Sequence, residues 1–314
     1  MDENLTLTAQ DVADILRIAK NTVYELVKRG ELNHYKVGRK MRFTRPDVDS
    51  YIATSRSASR QAEVTSGSGS ARSEVAHQES GFIICGKDSM LDVLTGYLGR
   101  RSDVDRPPLR AYVGSYAGLT SLYYGEVQAA TTHLWDGDSN RYNVPFVRRL
   151  LPGVPAVVIH LTKRTQGLYV ATGNPRNIQT WADLRHGTVT LINREKGAGS
   201  RVLLDEQLRL MKINGRSIPG YEREALSHIS AAGVVGRGEA DVGVGDMKAA
   251  SMVEGVEFVP LQTEQFDMVV RKEDFETPVV QAILSVLRSR DFREQFQHMK
   301  GYDITDMGKV LAET

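Results

Sequence analysis

Apolar residues after position 81 fall into short strand-like runs, each followed by a longer amphipathic run. Four such pairs stand in order along the chain: "GFIICG" with "SMLDVLTGYL", "LRAYVGS" with "AGLTSLYYGE", "VTLINR" with "RVLLDEQLRLM", and "ADVGVGD" with "MKAASMVEG". A strand period that gives way to a helix period is typical of a βα unit. The pattern predicts an α/β fold with largely parallel sheets, and it shows no fixed-period repeat of the solenoid kind.

Residues 8–30 carry a different pattern, with two helical runs. Thr8 precedes the first run and Asp11 follows three residues later, which is a box-like capping arrangement. Asn21 is placed to cap the second run and Gly30 to end it. The predicted inward faces are Val12, Ile15 and Leu16 in the first run, and Val23, Leu26 and Val27 in the second.

The segment that follows predicts a hairpin and a third helix. In "NHYKVGRKMRF" apolar positions alternate on both sides of Gly38, which marks the turn, and in "TRPDVDSYI" Pro46 stands at an early helical position. Helix, turn, helix, hairpin, helix is the order of a winged helix-turn-helix domain. In such a domain the second helix lies in the major groove and presents its first residues to base edges.

Charge supports DNA binding only locally. The net charge of the whole chain is +1, so no global field points to nucleic acid. Between residues 16 and 45, however, there are nine lysines and arginines, and the only acidic residues are Glu25 and Glu31. Cationic side chains on the hairpin are suited to contact DNA phosphates. Residues at the start of the second helix are better placed to contact base edges and so to give sequence selectivity. The candidate DNA-binding residues are Lys20, Asn21, Thr22, Tyr24, Lys28, Arg39, Lys40 and Arg42.

The same residues carry a family resemblance. The stretch "LTAQDVADILRIAKNTVYELVKRGEL", continued by "YKVGRKMRFTRPDVDSYI", resembles the excisionase/MerR-like winged-helix family over nearly all of residues 1–53. The resemblance implies a DNA-binding domain. Arg17 departs from the pattern, because such sequences often have a glycine in that turn, and this bears on the turn geometry rather than on the fold.

Residues 54–80 predict a flexible linker. They contain no aromatic residue, Leu, Ile or Met, and Ser, Gly, Ala and charged residues dominate. Such a segment cannot bury enough apolar surface to offset the entropy lost on ordering. The predicted organisation is a DNA-binding domain at 1–53, the linker at 54–80, and a ligand-sensing domain at 81–314.

Other features indicate a soluble, cytoplasmic protein. Cys85 is the single cysteine, so no disulfide can form within the chain, and its apolar surroundings predict a buried, inert thiol. The N-terminal residues lack the apolar segment of a signal peptide, and no run has the length of a membrane helix. We expect no membrane partner.

The turn "INREKGAGSR" at residues 192–201 joins a predicted strand to a predicted helix. Gly197 and Gly199 permit unusual backbone conformations, Ser200 is placed to cap the helix, and Arg194 and Arg201 add donors for an anion. The spacing matches neither a Walker phosphate loop nor the dinucleotide-binding glycine motif. The turn therefore predicts either an anion site or a plain tight turn.

Further strand-to-helix junctions have short hydroxyl side chains, and their convergence would make an anion cradle. With "GKDSMLDVLTGYL", "GSYAGLTSLYYGE", "RTQGLYVATGNPRNIQTWADL", "NREKGAGSRVLLDEQL" and "GRGEADVGVGDMKAA", residues 82 to about 312 resemble the molybdate- and molybdopterin-associated, periplasmic-binding-protein-like (type 2) domain. The resemblance implies two α/β lobes, 82–170 with 258–314 and 171–257, with ligand between them. The candidate ligand-binding residues are Lys87, Ser89, Ser115, Tyr116, His133, Arg194, Ala198, Gly199, Ser200, Arg201, His228 and Asp246.

Asp246 departs from the resemblance, because molybdate-binding periplasmic members of that family have a tyrosine near the position that Asp246 takes in this sequence. A carboxylate beside a bare dianion is repulsive, so either Asp246 pairs with Arg194 or Arg201, or the ligand has a donor of its own. The ligand is accordingly predicted as a molybdate- or tungstate-type oxyanion or a larger molybdopterin-related precursor. Trp135 is a further candidate to line the cleft, and both His133 and Trp135 are also consistent with purely structural roles.

The sequence predicts a one-component transcriptional regulator that binds double-stranded DNA and a small anionic ligand. We expect a homodimer or higher homo-oligomer, because one small module binds DNA weakly. No catalytic constellation, metal-ligand spacing or required cofactor is evident. The alternative is a ligand carrier or cofactor-delivery protein that uses residues 1–53 for protein contacts.

Overall fold

A computed structural model describes residues 7–16, 20–28, 32–37, 40–48, 51, 81–185 and 187–314. The chain divides into two compact units, Met1–Glu79 and Ser80–Thr314. The predicted linker at 54–80 lies outside the described residues, as do Arg17, Gly30, Gly38 and Arg39. The domain limits at 53 and 81 stay predictions.

The described residues of the N-terminal unit form two helices, a hairpin and a short third helical segment. Helix α1 is Ala9–Leu16 and helix α2 is Lys20–Lys28; strands β1 (Tyr35–Val37) and β2 (Lys40–Arg42) pair antiparallel. Residues 45–48 are helical. These elements bury a small apolar core composed of Ala9, Val12, Ala13, Val23, Leu26, Leu32, Phe43 and Val48.

Local polar contacts define where two of these helices begin. The Thr8 backbone N–H donates to Asp11 Oδ2 at 2.8 Å, and the Asp11 N–H donates to Thr8 Oγ1 at 3.3 Å, as the predicted capping box requires. The Thr44 N–H donates to Asp47 Oδ2 at 2.8 Å in the same way. The predicted cap at Asn21 is wrong, because α2 already begins at Lys20 and a cap precedes the first helical residue.

The C-terminal unit is built on one mixed sheet. Its strands are β3 Ile83–Cys85, β4 Leu109–Ala111, β5 Ala129–Thr132, β8 Ala156–Ala171, β9 Leu191–Arg194, β10 Glu224–Ala225, β11 Val242–Asp246, β12 Val256–Arg271, β13 Tyr302–Asp303 and β14 Val310–Glu313. The strand order is β10-β9-β11-β8-β12-β5-β3-β4, and β13 and β14 also pair with β8. The predicted βα units are present, and strands on either side of the centre pair in parallel. The expectation of largely parallel sheets is wrong at the centre, because the long strands β8 and β12 run antiparallel to each other.

Helices cover the sheet, and a short hairpin of β6 (Trp135–Asp136) and β7 (Arg141–Tyr142) stands apart from it. Single 3₁₀ turns occur at Trp181–Arg185, Gly215–Ser217 and Lys272–Asp274. Among the described residues, no helix combines the length and apolar character that a bilayer crossing needs. The helices are α3 Met90–Leu98, α4 Ser115–Tyr123, α5 Val144–Leu150, α6 Gly199–Leu210, α7 His228–Gly236, α8 Met247–Ala250, α9 Pro278–Arg288 and α10 Arg290–Glu294.

The apolar residues of this unit form separate cores on the two halves of the sheet. One half buries Leu94, Met268 and Ile283 together, whereas the other buries Leu168, Leu204 and Val244. Strands β8 and β12 contribute to both halves, so the chain crosses between them twice. This is the two-lobed α/β architecture that the sequence predicted, although the lobe limits near 170 and 258 stay predictions.

Candidate ligand cavity and DNA-binding surface

The starts of five helices, α3, α4, α6, α7 and α8, border one cavity of about 440 Å³ in the C-terminal unit. Its walls come from both lobes. Each of these helices follows a strand end, because βα units place helix starts at the carboxyl edge of the sheet. The residues at these starts that line the cavity are Ser89, Gly114, Ser115, Ala198, Gly199, Ser227, His228, Asp246, Lys248 and Ala249.

Two of the five helix starts have no side-chain cap. Gly114 before α4 and Ala198 before α6 make no side-chain cap hydrogen bond. By contrast, Ser227 caps α7, Asp246 caps α8, and at the start of α3 the Met90 N–H donates to Asp88 Oδ1 at 2.7 Å. First-turn N–H groups need a partner, and the helix dipole makes a helix start favourable for negative charge. The uncapped starts therefore offer backbone donors to an anion in the cavity.

The turn before α6 has the conformation that its glycines suggested. Gly197 has a φ of 84°, in the left-handed region that favours glycine. The Tyr116 N–H donates to Gly197 O at 3.1 Å, which joins α4 to this turn across the cleft. Gly199 has no room for a side chain, since a Cβ there would lie 2.5 Å from the His133 ring.

Arg194 is a buried cation with one unused donor at the cavity. Its side chain is 3% exposed, and its Nε donates to Glu195 Oε2 at 2.9 Å and to Ala225 O at 3.0 Å. The Nη1 atom is buried without a hydrogen-bond partner. A buried guanidinium nitrogen without an acceptor is costly, so this donor is available for a ligand oxygen.

A buried ion network forms the floor of the cavity. Arg164 donates from Nη1 to Asp88 Oδ2 at 2.7 Å and from Nε to Glu264 Oε1 at 2.5 Å. His133 Nδ1 lies 2.7 Å from Glu264 Oε2. Burial raises the pKa of Asp88, but Arg164 and Lys248 outweigh it and hold that pKa at about 2. Both carboxylates of the floor thus already have a cation, and Arg164 is held in place from two sides.

Two lysines bridge the lobes beside the cavity. Lys248 Nζ donates to Ser89 Oγ at 3.1 Å and to Tyr302 Oη at 2.9 Å, and it lies 3.4 Å from Asp88 Oδ2. Lys87 Nζ lies 2.5 Å from Glu195 Oε1. Each lysine therefore neutralises the negative charge of a neighbouring carboxylate and also lines the cavity.

The structure brings most of the predicted ligand-binding residues to the cavity. Lys87, Ser89, Ser115, His133, Arg194, Ala198, Gly199, His228 and Asp246 line it, whereas Tyr116, Ser200, Arg201 and Trp135 are not among the lining residues. The predicted cap at Ser200 is wrong, because α6 begins at Gly199 with Ala198 as its cap residue.

Arg201 has a structural position instead. Its Nε lies 2.9 Å from Asp205 Oδ2, and its guanidinium packs over the Tyr221 ring at 4.4 Å. Its Nη1 donates to Arg194 O at 3.2 Å, so it supports the backbone of Arg194. Asp246 pairs with neither arginine. Its Oδ1 accepts the Ala249 N–H, whereas Arg194 pairs with Glu195 and Arg201 pairs with Asp205. The first of the two alternatives for Asp246 is therefore wrong.

Sequence reasoning missed several residues of the cavity. Asp88 and Lys248 stand next to predicted positions, so their places in the junctions gave a signal. Arg164 gave none, because it lies in the middle of strand β8, far from any helix start. Gly86, Gly114 and Ser227 stand at the junctions expected to form the cradle, and they line the cavity. Further lining residues that were not predicted are Val113, Thr131, Ile229, Ala249, Met252, Phe266 and Met299.

A side chain at Gly199 is expected to weaken ligand binding. In Gly199→Ala the new Cβ meets the His133 ring, which must move off Glu264 or into the cavity. We expect at least a tenfold loss of affinity for a ligand bound by the wild type, measured by calorimetry. Gly96→Ala is the matched control, since nothing lies within 4 Å of its Cβ, and equal affinities in both variants would contradict the placement of Gly199.

His228 is expected to make stability depend on pH. Burial and then Arg194 hold the pKa of His228 well below its usual value of 6.5. The unfolded chain therefore binds the extra proton first, and stability falls as the pH drops below 6.5, by up to about 1.4 kcal/mol per pH unit. Melting temperatures between pH 7.5 and 5.5 should fall less in His228→Gln than in the wild type, and parallel curves would contradict this pKa direction.

In the N-terminal unit, the start of α2 presents predicted DNA-binding residues to solvent. Lys20 and Thr22 are exposed, and Tyr24 is 40% exposed. Arg42 lies on β2 and is half-buried, with its Nη1 donating to Met41 O at 3.0 Å. Asn21 and Lys28 belong to α2 and Lys40 to β2, whereas Arg39 lies outside the described residues.

Comparison with known families identifies both parts of the chain. Residues 100–288 match the model of the PBP superfamily domain, and residues 6–56 match a helix-turn-helix domain. The chain is 38% identical over 320 residues to the uncharacterized protein YvgK of Bacillus subtilis (strain 168), with 100% of both chains covered. It is also 38% identical over 112 residues to an uncharacterized protein in a ferredoxin 2Fe-2S gene 5' region of Clostridium pasteurianum, covering 36% of this chain and 99% of that one.

Solved structures show the same fold at low identity. An ancestral amino acid-binding protein, a precursor of cyclohexadienyl dehydratase, is 15% identical with a TM-score of 0.53, over 73% of this chain and 99% of that one. A mutant of ArgBP from T. maritima is 13% identical with a TM-score of 0.51, over 72% and 98%. The sulfate-binding protein SubI from Mycobacterium tuberculosis is 14% identical with a TM-score of 0.50, over 72% and 86%. The predicted fold class, a helix-turn-helix domain with a two-lobed binding-protein-like domain, is confirmed.

Proposed function

The chain belongs to the PBP superfamily and carries a helix-turn-helix domain, and from this we propose that it is a one-component, cytoplasmic transcriptional regulator. The C-terminal unit binds a small acidic ligand between its lobes, and binding changes the affinity of the N-terminal unit for DNA. Ligand can drive that change only through different affinities for two states of the protein. The resemblance of residues 1–53 to excisionase/MerR-like domains supports the DNA-binding role.

The unused donor of Arg194 is the observation that carries the proposal. Its Nη1 is buried and without a partner, and Arg194 lines a cavity bordered by uncapped helix starts. Each feature favours a negatively charged group, and together they place oriented donors around one volume. A ligand carboxylate or oxyanion at this point satisfies both the guanidinium and the helix ends.

The size of the cavity favours a ligand larger than a bare tetrahedral oxyanion. Its volume of about 440 Å³ falls within the range of roughly 300–1,000 Å³ that is typical of organic ligands. Of the two predicted ligands, a molybdopterin-related or similar acidic precursor fits this volume better than molybdate or tungstate. The association of the resembled family with molybdenum leaves both as candidates for the screen below.

A binding role fits the lining residues better than catalysis does. Lys248 is close enough to Ser89 to suggest a serine–lysine pair, but its Nζ donates to Ser89, Tyr302 and Asp88. An ammonium that donates to all three has no lone pair with which to accept the Ser89 proton. Within the described part of the chain, no group of three or more His, Cys, Asp or Glu side chains has a metal-binding arrangement. We therefore propose a non-enzymatic sensor with no required cofactor.

The regulator is expected to act as a homodimer, because a single helix-turn-helix module of this size reads only one half-site. A ligand carrier or cofactor-delivery protein is the second candidate. It shares the cavity but predicts no specific DNA affinity, so DNA binding separates the two candidates.

A thermal-shift screen of the full chain tests the ligand class. The panel contains molybdate, tungstate, sulfate, phosphate and pterin-6-carboxylate. At a hundredfold excess over its Kd a ligand adds about 2.7 kcal/mol, which raises the melting temperature by roughly 5–10 °C. An acidic ligand should produce this rise in the wild type and not in Arg194→Ala. A rise of equal size in both proteins would contradict a site at Arg194.

A further inference from the structure

Asp246 is a buried carboxylate at the cavity wall that has no cation of its own. The residue is 3% exposed, and its Oδ1 accepts the Ala249 N–H at 2.8 Å as the cap of α8. Its Oδ2 lies 3.8 Å from His228 Nε2, beyond hydrogen-bond distance. One carboxylate oxygen is thus engaged by the backbone while the other lacks a close donor among these contacts.

The neighbouring cations are held by other carboxylates. Arg164 lies between Asp88 and Glu264, and Lys248 donates to Asp88 as well. Arg164 and Lys248 therefore act on Asp246 only at longer range. A bare dianion placed here would face a carboxylate with no compensating donor, and that arrangement is repulsive.

The cavity also has an apolar wall that a small inorganic anion would leave unused. Ile229, Met252, Phe266 and Met299 line it, and Ile229 and Met252 are 49% and 64% exposed. Apolar and sulfur-bearing side chains at a cavity pack well against a flat or apolar molecular body. The lining thus combines a cationic end at Arg194, a carboxylate at Asp246 and apolar surface.

We propose, on the basis of the acidic-ligand sensing function above, that the ligand is an organic acid whose body carries an N–H or O–H donor. The acidic group binds Arg194 Nη1 and the uncapped helix starts. The donor binds Asp246 Oδ2, and the body packs against the apolar side chains. This assigns Asp246 as the residue that selects such acids against bare oxyanions.

The titration of Asp246 agrees with this assignment. Burial raises the pKa of Asp246 above its usual value of 3.8, in spite of Arg164 and the cap bond from Ala249. The ionised carboxylate is therefore under-stabilised in the free protein. A ligand donor at Oδ2 supplies the missing hydrogen bond.

Asp246→Asn tests the assignment, because asparagine keeps the size of the side chain and caps a helix start as well as aspartate does. The full-length wild type and variant are titrated by calorimetry with three probes. Pterin-6-carboxylate is a flat acid with ring N–H donors, naphthalene-2-carboxylate is a flat acid without donors, and molybdate is a bare oxyanion. An unchanged melting temperature of the variant shows that it is folded.

The expected effects differ in sign. The wild type should bind pterin-6-carboxylate at least tenfold more tightly than either other probe. Asp246→Asn should lower the affinity for pterin-6-carboxylate at least tenfold, because the carboxylate that accepts its donor is lost. The variant should have a higher affinity for molybdate, because a repulsive charge is removed. Tighter binding of all three probes to the variant would overturn the proposal and indicate that the ionised Asp246 carboxylate repels every acid and accepts no ligand donor. Binding of molybdate to the wild type as tight as that of pterin-6-carboxylate would also overturn it.

Arg194→Ala separates this inference from the function on which it rests. If Arg194→Ala lowers the affinity for all three probes while Asp246→Asn binds all three more tightly, acidic-ligand sensing stands and only the requirement for a ligand donor falls. If Arg194→Ala leaves every probe unaffected, the proposed function itself falls.

Discussion

Replacement of Arg194 by alanine is expected to weaken binding of the acidic ligand by at least tenfold, and up to about a hundredfold. The guanidinium is buried, is held by Glu195 and Ala225 O, and has Nη1 free for the ligand. A hydrogen bond to a charged group contributes about 1.5–3 kcal/mol, and tenfold corresponds to about 1.4 kcal/mol. Calorimetry with the tightest binder of the thermal-shift panel measures the loss.

Two further variants make this result specific. Arg194→Lys keeps the charge but not the planar fork, so it should recover only part of the affinity. Arg216→Ala removes an arginine whose side chain is 82% exposed, and it should bind as the wild type does. Melting temperatures are needed beside the affinities, because Arg194 also holds Ala225 O. Wild-type affinity in a folded Arg194→Ala protein would remove the turn at 192–201 from the site.

Loss of Lys20 and Thr22 together is expected to reduce DNA affinity by at least tenfold. Both side chains are exposed at the start of α2, the helix that in a helix-turn-helix domain enters the major groove. Removal of one phosphate-contacting lysine should also lower the slope of log K against log salt by about 0.9. Fluorescence anisotropy on a DNA fragment from upstream of the coding sequence measures both quantities.

The control for this experiment is a charge change elsewhere in the chain. Lys272→Ala alters a lysine of the C-terminal unit whose side chain is 58% exposed, and it should leave DNA affinity unaltered. If the double variant binds as tightly as the wild type, or if the wild type has no affinity above that for unrelated DNA, the cofactor-delivery alternative gains.

The fold was predictable from the sequence wherever local patterns decide it. The alternation of strand and helix runs after residue 81 gave the βα units, and the box of Thr8 and Asp11 gave the start of α1. The antiparallel centre was not predictable from these patterns, because it depends on long-range pairing between β8 and β12. Strands of 16 residues that cross two lobes have no local signature different from that of shorter buried strands.

The site was predictable where chemistry and chain position coincide. Ser89, Ser115, Arg194 and Asp246 stand at strand-to-helix junctions, which the fold brings to one edge of the sheet. Arg164 was not predictable, because its role depends on Asp88 and Glu264, far from it in sequence.

The exact start of helix α6 accounts for the differences at Ser200 and Arg201. The helix starts two residues earlier than a cap at Ser200 requires, so Ser200 lies inside the first turn. Arg201 follows on the same turn and reaches Asp205 one turn later instead of the cavity. Helix phase, which sequence fixes only to within a residue or two, decided both positions.

One measurement tests the link between the two units most directly. The DNA affinity of the full-length wild type and of Arg194→Ala is measured by anisotropy, with and without a saturating concentration of the tightest binder from the thermal-shift panel. The proposed regulator should change its DNA affinity at least tenfold with ligand in the wild type, and not in Arg194→Ala. A ligand that binds the wild type yet leaves its DNA affinity unaltered, or that shifts both proteins equally, would contradict a sensor acting through this cavity.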